Sequence, residues 1–422
     1  MKNIIIIGSF VLLIVGIGIL AYLLLFFEDD PDRREERTGF FSFNDEEEID
    51  LEERREDPPD PEAEPGDPDQ EHPDPEEPRD PLNDDPSRKS RPEDREGPFL
   101  TLSYRPVSLG KPQILEKDEG LVARYINQQG VIHDAHLKDV EKDRVVTEEL
   151  DLPSLHQSLW LSNTTAVVRY EEQDTIETTV LELIEPQEEK EDHSFEVSLL
   201  PEDIRDIAVR PTGGEIFSLI DGQGVVSSPN GGFQETVFSS GLTQWMVDWP
   251  ASNTISLTTA PTGGEEGYML WLDRNTGRST IELAGKSGLT TLTSPDLDHT
   301  FYSKGGDNRL GSYIYHHSTG ESTELEISTL PEKCVWSSPS KLYCAAAATP
   351  SGTFPDYWYQ GKAEFNDRFY KIDAEEGTVQ EITNERSGKD ATHLAVGPNG
   401  RYLFFINRND FMLHALDLDW NH

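Results

Sequence analysis

Apolar and polar residues follow three successive patterns along this chain. From Ile4 to Phe27 runs an uncharged stretch of 24 residues, longer than the roughly 20 that carry a helix across a bilayer. It ends in Leu23, Leu24, Leu25, Phe26 and Phe27 rather than in a small-residue cleavage site, so residues 1–27 are expected to form an uncleaved transmembrane signal anchor. The short head before it favours an inside amino terminus and places the rest of the chain outside the cytoplasm. Arg33, Arg34 and Arg37 beyond the far end pull the positive-inside count the other way.

Residues 28–98 have few apolar positions, 13 prolines, and 30 acidic against 10 basic residues. Such a segment cannot bury enough surface to offset the entropy of ordering. Repeated Asp-Pro and Glu-Pro pairs favour extended conformations, and like charges stretch them further. The expectation is a disordered, acidic, Pro-rich stalk. Phe40, Phe41 and Phe43 interrupt it, as a docking motif or as an incidental cluster beside the membrane.

From Phe99 onward the pattern changes to short alternating strands rich in β-branched and aromatic residues, separated by Gly, Pro, Asn and Asp. A hairpin unit recurs: SLWLSNTTAVVRY from Ser158, IAVRPTGGEIFSL from Ile207, MVDWPASNTISLT from Met246, TLTSPDLDHTFYS from Thr291, CVWSSPSKLYCAA from Cys334 and LAVGPNGRYLFFI from Leu394. Their turns at Ser162, Pro211, Pro250, Pro295, Ser338 and Pro398 are 49, 39, 45, 43 and 60 residues apart, the spacing of propeller blades. A second turn, as in Asp273 to Gly277, His316 to Gly320 and Asp373 to Gly377, gives each unit four strands. Segments near Gln113, Gly120, Val131 and Arg144 supply a first blade. The last unit lacks one strand near Leu418, and Phe99 to Arg105 is one strand spare. Pairing them closes the ring and removes both open edges. The fold expected over 99–422 is therefore an all-β, seven-bladed β-propeller.

The turns Ser294-Pro295-Asp296 and Gly397-Pro398-Asn399-Gly400-Arg401 resemble the WD40-like repeat of TolB-type propellers and of the propellers in prolyl-oligopeptidase-type enzymes. The resemblance covers about residues 99 to 422 and implies the fold. The layout of anchor, acidic stalk and propeller with a Trp358-Tyr359-Gln360-Gly361 loop is also similar to that of uncharacterised membrane-anchored bacterial propellers, which implies no activity. The peptidases carry a hydrolase domain after their propeller and TolB carries a small domain before it. Neither pattern is found here, nor is a G-x-S-x-G elbow.

Charge narrows the partners. The net charge is -45, and no stretch supplies a basic face, so nucleic acid is not an expected partner. The largest departure from the repeat is the insertion between Ala348 and Phe369. It carries Phe354, Tyr357, Trp358, Tyr359 and Phe365 on the rim that propellers use for ligands, where aromatic rings give contact area at low entropic cost. These five are the candidate binding residues; the alternative is that the rings cover a neighbouring blade or cap the channel. Cys334 and Cys344 flank a hairpin centred on Pro339 and fall opposite each other, as a cross-strand disulfide of an oxidising compartment or as two small buried thiols. His133 and His136 point to opposite sides of a strand, as do His316 and His317, so neither pair reads as a metal site. Trp160, Trp245, Trp249 and Trp336 read as packing between blades.

These observations predict an extracytoplasmic, non-catalytic protein-binding or scaffolding module at the cell membrane, with no cofactor and no metal. The alternative is recognition of a cell-surface glycan or small ligand at the central pocket. A lyase or hydrolase is a third reading: no carboxylate pair, metal-ligand set or nucleophile-base spacing is found along the chain, and a perturbed acid cluster lining the channel would favour it.

Overall fold

In the computed structural model the described residues are 95–420, except 139–143, 148–149, 151, 153, 185–193, 308, 348–351 and 384–386. The anchor expected over 1–27 and the stalk up to residue 94 lie outside them. Among the described residues no helix is long and apolar enough to cross a membrane.

The strands form seven antiparallel sheets, each a meander, arranged as a seven-bladed β-propeller. The inner strands are Gln113–Lys117, Leu155–Trp160, Ile204–Val209, Trp245–Ala251, Thr290–Thr293, Cys334–Ser338 and Ala391–Val396, and they number blades 1 to 7. Turn chemistry sets the hairpins. In the outer turn of blade 4, Asp273 Oδ1 accepts hydrogen bonds from the Asn275 and Thr276 N–H groups at 3.0 and 2.8 Å. Gly277 then takes φ +65°, a conformation that costs glycine nothing.

Closure follows the expected pairing. Phe99–Thr101 joins the last blade against Leu413–Asp417, with Phe99 opposite Leu416 and Leu100 opposite Ala415. One strand was not foreseen: Arg95–Glu96 pairs with Phe99–Leu100, which gives blade 7 five strands and starts the fold four residues before Phe99. Two charged residues beside a glycine carry no periodic signal, so the pattern could not show them.

The core is divided among the blade interfaces. Buried apolar clusters fill each junction around the ring. Trp245 and Trp249 sit between blades 3 and 4, while Trp160 and Trp336 pack at the edges of the 1–2 and 5–6 interfaces. A further cluster lies outside this ring of interfaces: Leu310, Leu330, Phe354, Trp358, Tyr359 and Phe365. It is built on the insertion of blade 6.

Candidate functional site

The insertion connects the second strand of blade 6, Lys341–Ala347, to the third, Asp367–Asp373. Such a connection lies at the end of the disc where the inner strands begin. Its single helical turn, Asp356–Tyr359, reaches back over several blades. Asp356 Oδ2 accepts the Gly263 N–H of blade 4 at 2.6 Å, and Thr353 donates to Asp307 of blade 5 at 2.9 Å. The Phe354 carbonyl lies so close to Gly305 that any side chain there would collide with it, and a Cβ at Gly263 would come within 2.7 Å of the same oxygen. Arg408 of blade 7 donates to the Trp358 carbonyl at 2.7 Å and stacks on its indole at 4.4 Å. The insertion is therefore a cap fixed to blades 4, 5, 6 and 7.

Of the five rings singled out in the sequence, Phe354, Trp358, Tyr359 and Phe365 are buried at 0, 4, 6 and 3% exposure, while Tyr357 is 39% exposed. The structure thus brings four of them together as the packing of the cap and leaves Tyr357 as the ring on its surface. The physical reason is the approach of the chain to Gly263 and Gly305, which lets the loop lie flat against neighbouring blades.

Cys334 and Cys344 are paired in register with their Cα atoms 4.1 Å apart and are joined as a disulfide. His133 stacks on Tyr125. His316 meets His299, whereas His317 stacks on Trp271 of blade 4, opposite directions that follow from strand alternation. Among the described residues no three His, Cys, Asp or Glu side chains converge as metal ligands.

Below the cap, polar groups from different blades meet. Asp206 of blade 3 accepts the Val247 N–H of blade 4 at 2.7 Å and its neighbour Ile207 N–H at 2.9 Å. Asp248 of blade 4 accepts the Trp249 N–H at 2.8 Å. Glu332, just before the inner strand of blade 6, receives the Tyr359 hydroxyl through a short hydrogen bond, and its Oε2 has no protein partner. Thr392 of blade 7 donates to the Glu332 carbonyl at 3.2 Å and lies 3.2 Å from His393 Nδ1. His393 itself has φ +52°, which is uncommon for a residue with a side chain, at a bulge in the register between Thr392 and Ala395.

Shared charged neighbours link these groups. The charge of Lys111, from blade 1, acts on both Asp248 and His393. Arg408 acts on Glu332, Tyr359 and His393, and Asp206 acts on Tyr359. Burial dominates each of the four. It raises the Asp206 carboxyl to about 6, raises Asp248 and Glu332, and lowers the His393 imidazole to about 4. All four are only partly buried, as expected for groups on or just before inner strands that face the central channel of a propeller. Carboxyls, an imidazole and cationic side chains gathered in one region suit a small polar ligand.

The sign of each shift sets a pH dependence. An acid raised to about 6, as in Asp206, contributes stability at low pH that is lost as pH rises through 6. A histidine lowered to about 4, as in His393, contributes stability above its usual 6.5 that is lost as pH falls. The two therefore oppose each other between about pH 4 and pH 6. His393→Gln should lose less stability than the parent across that window, by on the order of 2 kcal/mol after allowing for solvent in the channel. Denaturant titrations at several pH values read this directly, and parallel profiles for the two proteins would count against it.

None of the four channel groups was found by sequence reasoning, because each comes from a different part of the chain. One signal was present. Asp206 and His393 both stand five residues before their turn prolines, Pro211 and Pro398.

No protein-family model matches the chain, and no curated protein sequence matches it. Among solved structures it is similar to the tricorn protease, with 10% identity and a TM-score of 0.45, over 75% of this chain and 35% of that one. It is equally similar to the extracellular domain of a proposed one-component system from B. thetaiotaomicron, at 10% identity and TM-score 0.45, over 76% of this chain and 40% of that one. The chain thus spans well under half the length of either protein.

Proposed function

We propose that the chain is a membrane-anchored, extracytoplasmic, non-catalytic binding module, in which anchor and stalk carry the propeller outside the cytoplasm and the capped face receives a protein partner. The observation that carries this reading is the cap itself. An insertion held by blades 4, 5, 6 and 7 presents Tyr357 at 39% exposure while its other rings are occupied in holding it. A rigid aromatic on a fixed platform is the type of residue that anchors protein interfaces, since little entropy remains to be lost on binding.

The test is affinity capture from native membranes followed by mass spectrometry, with the intact chain beside Tyr357→Ala. Tyr357 is the residue to change because the buried rings cannot be truncated without disturbing the fold. A specific protein recovered with the parent and lost with the variant supports the reading; the same proteins in both captures reject it. A second reading, recognition of a glycan or other small ligand, is favoured by the convergence of Asp206, Asp248, Glu332 and His393. It predicts a rise in melting temperature with a member of a glycan panel that Asp248→Asn abolishes.

A further inference from the structure

Directly beneath the cap, Lys333 is completely buried, and so are the two carboxylates that meet its amine. Lys333 Nζ lies 2.8 Å from Asp367 Oδ2 and in short contact with Asp390 Oδ1, and it also donates to the Ala391 carbonyl at 2.8 Å. The walls are aromatic, with the Phe365 ring 4.9 Å and the Trp358 ring 5.9 Å from the nitrogen. The two acids are held differently. Asp367 Oδ2 accepts the Ala391 N–H at 2.7 Å while Oδ1 has no partner. Asp390 Oδ2 accepts the Phe365 N–H at 3.2 Å and faces Arg408 at 4.0 Å.

We propose that this pocket is an autocatalytic modification site, where Lys333 and Asp367 condense to an intramolecular isopeptide bond with Asp390 as the proton carrier. Three fully buried ionic groups in one pocket are costly to keep charged, a cost that conversion of the amine and one acid to a neutral amide would remove. Desolvation raises the Asp367 carboxyl to about 6 despite the attraction of Lys333, which favours its protonated form as the electrophile. Asymmetric surroundings of two carboxylates separate electrophile from proton carrier, and contact between the reacting groups removes most of the entropic barrier.

Asp390 relays one proton from the Lys333 ammonium to Asp367, leaving a neutral amine beside a neutral carboxylic acid. Nζ attacks Asp367 Cγ, and the negative charge that develops on Oδ2 is met by the Ala391 N–H. Asp390 takes a second proton from the nitrogen and gives it to Oδ1, the oxygen without a partner. The Cγ–Oδ1 bond breaks and water leaves. Two of the three ammonium protons depart in that water, the third remains as the amide N–H, and Asp390 ends as it began. No oxidant, metal or cofactor enters. The product would replace a buried ion pair by an amide that ties the turn leading into the inner strand of blade 6 to the start of its third strand across the base of the cap.

A peptide map of the full chain, denatured and reduced, tests this. The expected result is a single branched peptide joining the Lys333 and Asp367 segments, one water lighter than their sum, with no cleavage after Lys333 by a lysine-specific protease. Two unlinked peptides of full sequence mass would overturn the proposal, as would a water loss located elsewhere. Asp390→Asn should fold, as judged by its near-ultraviolet circular dichroism, and yield the two peptides unlinked; a link formed equally well in this variant would overturn the role of Asp390. Should that variant not fold, the map of the parent chain still decides whether the bond exists.

Discussion

Removing residues 95–102 should abolish cooperative unfolding of the propeller. The reason lies in what the closing strand joins. Phe99 belongs to the core between blades 6 and 7, packing at 5.8 Å from Phe369 and 6.2 Å from Phe405. Its neighbours Leu100 and Leu102 belong to the core between blades 7 and 1. The backbone adds ladder bonds at both ends, from Leu102 N to the Leu413 carbonyl at 2.8 Å and from Asp417 N to the Pro98 carbonyl at 2.9 Å. Deletion would open two apolar interfaces and expose the edge of Leu413–Asp417, an all-β liability toward aggregation. The milder variant Phe99→Ala should cost about 3–5 kcal/mol. Urea titrations of the deletion and of Phe99→Ala beside the parent measure both effects, and a chain lacking 95–102 that kept the parent's midpoint would show that the ring closes without this strand.

Closure was legible in the sequence for the same reason that it is energetically decisive. A unit one strand short at one end and one strand spare at the other can satisfy both edges in a single way. The hairpins were legible because alternation and turn chemistry are local: Pro398, Asn399 and Gly400 mark a turn whatever surrounds it. The fate of the aromatic rings was not, because it depends on glycines more than 40 residues away. Gly263 and Gly305 admit the loop, and nothing in the run Phe354 to Phe365 announces them. The channel was hidden by the same kind of distance. Asp206, Asp248, Glu332 and His393 are unremarkable singly, and they meet because inner strands of separate blades begin at one end of the ring. Lys333 carried even less signal. A lysine between Glu332 and Cys334 reads as surface, and its burial follows from Asp367, at the start of one strand, and Asp390, just before another, arriving beside it.

Within the cap, Trp358→Ala should be among the most damaging single changes, at about 3–5 kcal/mol, while Tyr357→Ala should change stability by no more than about 0.5 kcal/mol. The two residues are adjacent, yet the first is 4% exposed and the second 39%. Trp358 meets Tyr359 edge to face at 5.3 Å, lies under Arg408 at 4.4 Å and forms part of the wall around Lys333. Its loss leaves a cavity and removes the ring stacked against one cation and beside another, both of which contribute through the π face. Tyr359→Phe should fall between them, at about 1–3 kcal/mol, because it deprives Glu332 of the hydroxyl that bonds it and leaves a carboxyl whose other oxygen already has no protein partner. Thermal and urea denaturation of the three variants give the order directly. Equal losses for Trp358→Ala and Tyr357→Ala would mean that the cap does not pack as described, and that a change in binding by the Tyr357 variant could not be separated from unfolding. The predicted order makes that separation possible, since it leaves one ring of the insertion whose removal alters the outer surface without loosening what lies beneath.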